Sequence, residues 1–105
     1  MAMTVKLLRD FQGLEIQLTP ERQSHILDHP EMANLEFEIE ETLLNPERLV
    51  QSVSDPAVHL YYYYRFYFRT LVGGKYLCVV VKVGAKHPFV LTAYLTNRMK
   101  KGVTL

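Results

Sequence analysis

VHLYYYYRFYFR, Val58 to Arg69, is a run of twelve residues rich in aromatic rings and free of Gly and Pro. Such a composition suits a pleated, half-buried strand far better than a helix. Strand alternation puts Val58, Leu60, Tyr62, Tyr64, Phe66 and Phe68 on one face and His59, Tyr61, Tyr63, Arg65, Tyr67 and Arg69 on the other. The first set reads as a core face. The second reads as an exposed row of rings and cations that can hold phosphates and stack bases. The same row also suits the wet side of a sheet with no ligand at all.

Downstream, Gly73-Gly74 marks a hairpin turn into a strand over Lys75 to Val83. Its run LCVVVKV is nearly continuous hydrophobe, as expected of a central strand buried on both sides. Leu77, Val79, Val81 and Val83 share one face; Tyr76, Cys78, Val80 and Lys82 share the other, where Lys82 needs water or a partner. Cys78 is the single cysteine and reads as a small packed residue. Gly84 to Pro88 is a loop, and Phe89 to Thr96 the last strand expected. Phe89, Leu91, Ala93 and Leu95 form its core face, opposite Val90, Thr92, Tyr94 and Thr96. The basic segment Asn97 to Lys101 reads as one loose turn.

Upstream, Arg48 to Ser54 is a weaker strand candidate between Pro46 and Asp55-Pro56. Asn34 to Leu44 carries Leu35, Ile39 and Leu43 at helical spacing, with Glu36, Glu38, Glu40 and Glu41 as its solvated side. Thr19-Pro20-Glu21 is a helix start: Thr caps, Pro fits the first position, and Glu suits the first turn. That helix runs to Asp28 or His29, where Pro30 ends it. Arg22, His25 and His29 then share one face. The two imidazoles can act as general base and general acid near neutral pH. Alternatively, one is a surface residue and the other a helix C-cap. They lack the third and fourth ligands of a metal site, so no metal or other cofactor is expected. Val5 to Arg9 and Leu14 to Leu18 form an N-terminal hairpin around Gly13.

The charge is unevenly divided. Residues 1–55 hold all eleven acids and four bases, a net −7, whereas residues 56–105 hold eight bases and no acid. This points to one basic surface and a polyanionic partner. No apolar run approaches the ~20 residues of a membrane helix, and the start MAMTVKLLRD lacks the apolar core of a signal peptide, so a cytoplasmic setting is expected. The 105 residues make one domain. The expected fold class is α+β, with the hairpin of residues 1–18 and two short helices packed on an antiparallel sheet of about four strands. The uncovered sheet face would then collect His59, Tyr61, Tyr63, Arg65, Tyr67, Arg69, Tyr76, Lys82, Thr92, Tyr94 and Thr96.

Several stretches in order carry a resemblance: His25-Ile-Leu-Asp-His29-Pro30-Glu31, IEETLLNPE at Ile39 to Glu47, YYYYRF, YLCVVVK at Tyr76 to Lys82, and FVLTAYLT at Phe89 to Thr96. Together they are similar to the phage-associated branch of the barnase, EndoU, colicin and RelE-like nuclease superfamily. The resemblance covers roughly His25 to Gly102 and leaves the N-terminal hairpin unplaced. It implies a RelE/barnase-like fold and metal-independent endoribonuclease activity, often as a toxin paired with an acidic antitoxin protein. By motif position it implies His25 or His29, Arg65, Lys82, Thr92 and Tyr94 as catalytic residues. In that expectation a His accepts the ribose 2′-OH proton, Arg65 and Lys82 stabilise the phosphoryl charge, and the second His or Tyr94 protonates the leaving oxygen, giving a 2′,3′-cyclic phosphate. His59, Tyr61, Tyr63, Tyr67, Arg69, Tyr76 and Thr96 would bind RNA around them. The competing reading is a non-catalytic module that binds RNA or a protein through the same Tyr/Arg face.

Overall fold

The computed structural model describes residues 4–66 and 74–105. The fold is α+β, with two α-helices among the described residues on one side of a seven-stranded sheet ordered β1-β2-β6-β5-β4-β3-β7. The strands are β1 Lys6–Arg9, β2 Glu15–Leu18, β3 Arg48–Ser52, β4 Val58–Phe66, β5 Gly74–Lys82, β6 Phe89–Thr96 and β7 Gly102–Thr104. The sheet is therefore larger than the four strands expected. The N-terminal hairpin joins it through a single parallel pair, Gln17 with Phe89. A short strand, β7, adds to the far edge beside β3, where the sequence pattern offered only a basic turn and three residues too short to show a period.

Helix α1 spans Pro20–Leu27 and starts as its sequence dictates: the Thr19 hydroxyl accepts the Arg22 amide, with Pro20 in the first turn. A single 3-10 turn, Pro30–Met32, separates it from α2, Glu36–Leu44. Ile26, Met32, Leu35, Ile39 and Leu43 bury themselves against Leu77, Val79, Val81, Val90 and Ala93 of the sheet. This is the main core, and Tyr61 belongs to it.

The placement of Tyr61 reverses the expected faces of β4. The β4–β5 register pairs Leu60 with Val80, Tyr62 with Cys78 and Tyr64 with Tyr76. Residues paired directly across a ladder share a face. Tyr62 and Leu60 therefore lie on the side away from the helices, whereas Tyr61 lies beneath them. The parity of β6 shifts as well. Val80 pairs with Thr92 but Val81 pairs with Val90, so Leu91 is an extra residue in β6. Val90 consequently enters the main core rather than the opposite face, and the carbonyl of Leu91 accepts a hydrogen bond from Arg22 Nη1 at 3.2 Å.

On the side away from the helices, residues 97–101 pass from the end of β6 to the start of β7 at the other edge. Thr96 lies in the row of Tyr76, and Gly102 in the row of Ser52, Val58 and Lys82. In a flat sheet these points would be about 27 Å apart. Six residues of chain reach only about 22 Å. The sheet therefore coils toward this strap. Beneath it Val50, Leu60, Tyr62 and Cys78 form a second buried cluster, packed by Tyr76, Val80, Tyr94 and Met99.

Candidate nucleic-acid interface

The strap is pinned where its Lys100 amide donates to the Tyr62 hydroxyl at 2.9 Å. Next to it opens a groove of about 370 Å³, lined by Ser52, Val53 and Ser54 after β3, by Val58, Leu60, Val80, Thr92 and Tyr94 of the sheet, and by Lys100 and Lys101 of the strap. Its floor is apolar and its rim carries hydroxyls and two ammonium groups. None of the described residues lining it is a carboxylate. The Lys100 ammonium lies 5.9 Å from the centre of the Tyr94 ring, within cation–π range. The Ser52 and Ser54 hydroxyls pair at 3.2 Å. The Tyr94 hydroxyl is buried beside the Cys78 thiol. Beside the strap, Tyr62, Tyr76 and Tyr64 form an edge-to-face ladder, with centroids 6.3 Å and 5.3 Å apart and Tyr64 exposed at its end.

Burial governs the titration of this face. It pushes the Tyr62 phenol up to about 12 and the Tyr94 phenol further above its ordinary value. Burial also pushes the Cys78 thiol up to about 11, against the pull of the neighbouring Tyr94 and Tyr62 hydroxyls. Cys78 is thus an inert packed thiol.

The expected catalytic set does not converge. Thr92 and Tyr94 line the groove, and Tyr76 and Thr96 share its side of the sheet. Lys82 lies in the Val58 row, where its ammonium is held at 2.6 Å by Asp55 in a partly exposed ion pair. The same pair, with the Ala57 amide, holds the Asp55 carboxyl below its ordinary value. His25 and His29 are exposed neighbours, ring centres 5.8 Å apart, on the helical layer. Ile26 between them sits in the core on the opposite side of the sheet from Tyr94. Arg65 pairs through its backbone with Lys75, seven residues along β4 from the partner of Lys82, roughly 23 Å away. The side chain of Arg65 lies outside the described residues, as do Tyr67, Arg69 and Phe68.

His59 and Tyr61, expected to bind RNA, lie on the helix side of β4, away from the groove. The Tyr61 hydroxyl donates to Asp10 Oδ2 at 2.8 Å, while Asp10 Oδ1 accepts the Gln12 and Leu14 amides at 2.9 Å. This closed clip ties the turn of the β1–β2 hairpin to β4. Burial, with the Asp10 hydrogen bond, raises the Tyr61 phenol strongly. Burial lowers His59, with the Asp10 charge opposing. Tyr63 is half-buried on the same alternation. The polar residues that line the groove and were not expected are Ser52, Ser54, Lys100 and Lys101. Their one sequence signal was chemical: a serine-rich turn and a doublet of lysines. Among the described residues no group of three or more His, Cys, Asp or Glu is placed to hold a metal ion, and no helix is long and apolar enough to cross a membrane. Comparison with protein-family models, curated proteins and solved structures finds no match for this chain.

Proposed function

We propose that this chain is an RNA-binding module that takes single-stranded RNA on the strap side of its sheet. The observation that carries this reading is the segregation of charge. Lys100 and Lys101 meet hydroxyls and tyrosines in a groove with no carboxylate among its described lining residues, while Glu21, Asp28, Glu31, Glu36, Glu38 and Glu40 lie in the helical layer. Phosphates would meet the ammonium and hydroxyl groups, and a base would stack on the exposed Tyr64 ring. An RNA partner and a buried free thiol both fit a reducing cytoplasm.

Cleavage is a second reading, favoured by the position of Thr92 and Tyr94 beside Lys100. The Tyr94 phenol holds its proton at neutral pH, and its raised value makes it a weaker proton donor than an ordinary tyrosine. Moreover, among the described residues neither an imidazole nor a carboxylate lines the groove to accept the 2′-OH proton, so binding without cleavage is the better supported function. An acidic antitoxin would compete for the same basic surface.

Anisotropy with a labelled single-stranded RNA, in EDTA and over a range of salt, tests both readings. Salt-sensitive binding with intact RNA is expected. Cleavage to a 2′,3′-cyclic phosphate by the His25→Ala, His29→Ala protein would establish a nuclease centred on the groove instead. Absence of RNA affinity at any ionic strength overturns both readings.

A further inference from the structure

We propose that the groove recognises a terminal phosphomonoester of the RNA rather than a phosphodiester within the strand; this rests on the RNA reading. The argument starts from size. At about 370 Å³ the groove lies at the small end of ligand sites. That is space on the scale of a single nucleotide. The β3–β4 turn, with Ser52 and Ser54, bounds it on one side and the strap, with Lys100 and Lys101, on the other.

The second argument is charge matching. Two consecutive lysines present two ammonium groups, with the Ser52, Ser54 and Thr92 hydroxyls nearby. A phosphomonoester carries roughly −1.5 to −2 at neutral pH and offers three strong acceptor oxygens. An internal phosphodiester carries a single negative charge and offers two free oxygens. The paired cations and clustered hydroxyls suit the former. The apolar floor of Val58, Leu60 and Val80 can take the flat side of the terminal base.

The probe is a fluorescent decauridylate in three forms: 5′-phosphorylated, 3′-phosphorylated, and with hydroxyls at both ends. At least one phosphorylated form should bind tenfold or more tighter than the hydroxyl form, and inorganic phosphate should compete for that extra affinity. The Lys100→Gln, Lys101→Gln protein should lose the preference. Lys100→Arg, Lys101→Arg should keep it, as both variants alter exposed side chains only. Equal binding of all three forms overturns the end-recognition proposal and leaves the RNA reading standing. Failure of all three to bind overturns both. A preference that survives the double Gln variant places the monoester elsewhere and also overturns the proposal.

Discussion

Asp10 and Tyr61 are joined across 51 residues of chain by one buried hydrogen bond. Removing the donor leaves a carboxylate oxygen unpaired in a buried position, a loss of about 1–3 kcal/mol. Tyr61→Phe should therefore lower the urea midpoint with an unchanged slope, while RNA affinity stays as it was. The buried phenols also set an alkaline limit. Tyr61, Tyr62 and Tyr94 are all raised above the ordinary value of 10.0, Tyr62 to about 12. The folded form keeps protons that the unfolded form releases, so their contribution is full below pH 10 and falls as pH rises through the folded values. Circular dichroism and tyrosinate absorbance should change together in that range. His59 works with the opposite sign. Its folded value is lowered from 6.5, so its contribution is full above pH 6.5 and is lost as pH falls below it. His59→Gln should flatten the acid-side slope of stability, measured by urea melts at successive pH values.

At the level of elements, what the sequence revealed depended on whether the two faces of an element differ chemically. Helix α1 was legible because Thr19, Pro20 and Pro30 mark its ends. In β5, Lys82 breaks one alternation, so its two faces could be told apart. In β4 both alternations are aromatic, and hydrophobic period cannot choose between Tyr61 and Tyr62. The choice is made by register with β5 and by the carboxylate of Asp10, which meets a hydroxyl rather than a hydrocarbon. The extra residue at Leu91 was equally hidden, because VLTAYLT alternates plausibly in either phase. Strand β7 has three exposed residues, so its place is decided by pairing with β3. At Gly102 a methyl group would run into the Gln51 carbonyl and the Val50 side chain. Gly102→Ala should thus loosen β7, and hydrogen exchange should quicken at the Leu105 amide, which donates to Leu49 O at 2.9 Å. By contrast the Lys82–Asp55 pair is partly exposed. Lys82→Met should leave the midpoint of a thermal melt nearly unchanged.

Over the whole molecule, the split of charge along the chain becomes a split through space. The acidic helices cover one side of the sheet, and the basic strap crosses the other. A polyanion approaching the strap side is attracted by Lys100 and Lys101 and turned away from α2. Binding of single-stranded RNA should weaken with salt along a log–log slope of about −0.7 per phosphate neutralised, so about −1.4 for these two lysines. Their replacement by Gln should remove most of that slope. The His25→Ala, His29→Ala protein should keep it, because the sheet separates those rings from the groove. Anisotropy titrations at four salt concentrations measure both.

The strap also acts as a wall. A paired stem is a stiff cylinder that cannot bend to follow a coiled sheet whose hollow is crossed by residues 97–101. Its bases face inward and offer no free ring to Tyr64. If the strap side takes RNA as proposed, double helices should be turned away by shape alone, before any base is read: a blunt hairpin of matching sequence would be held only through whatever unpaired overhang it carries.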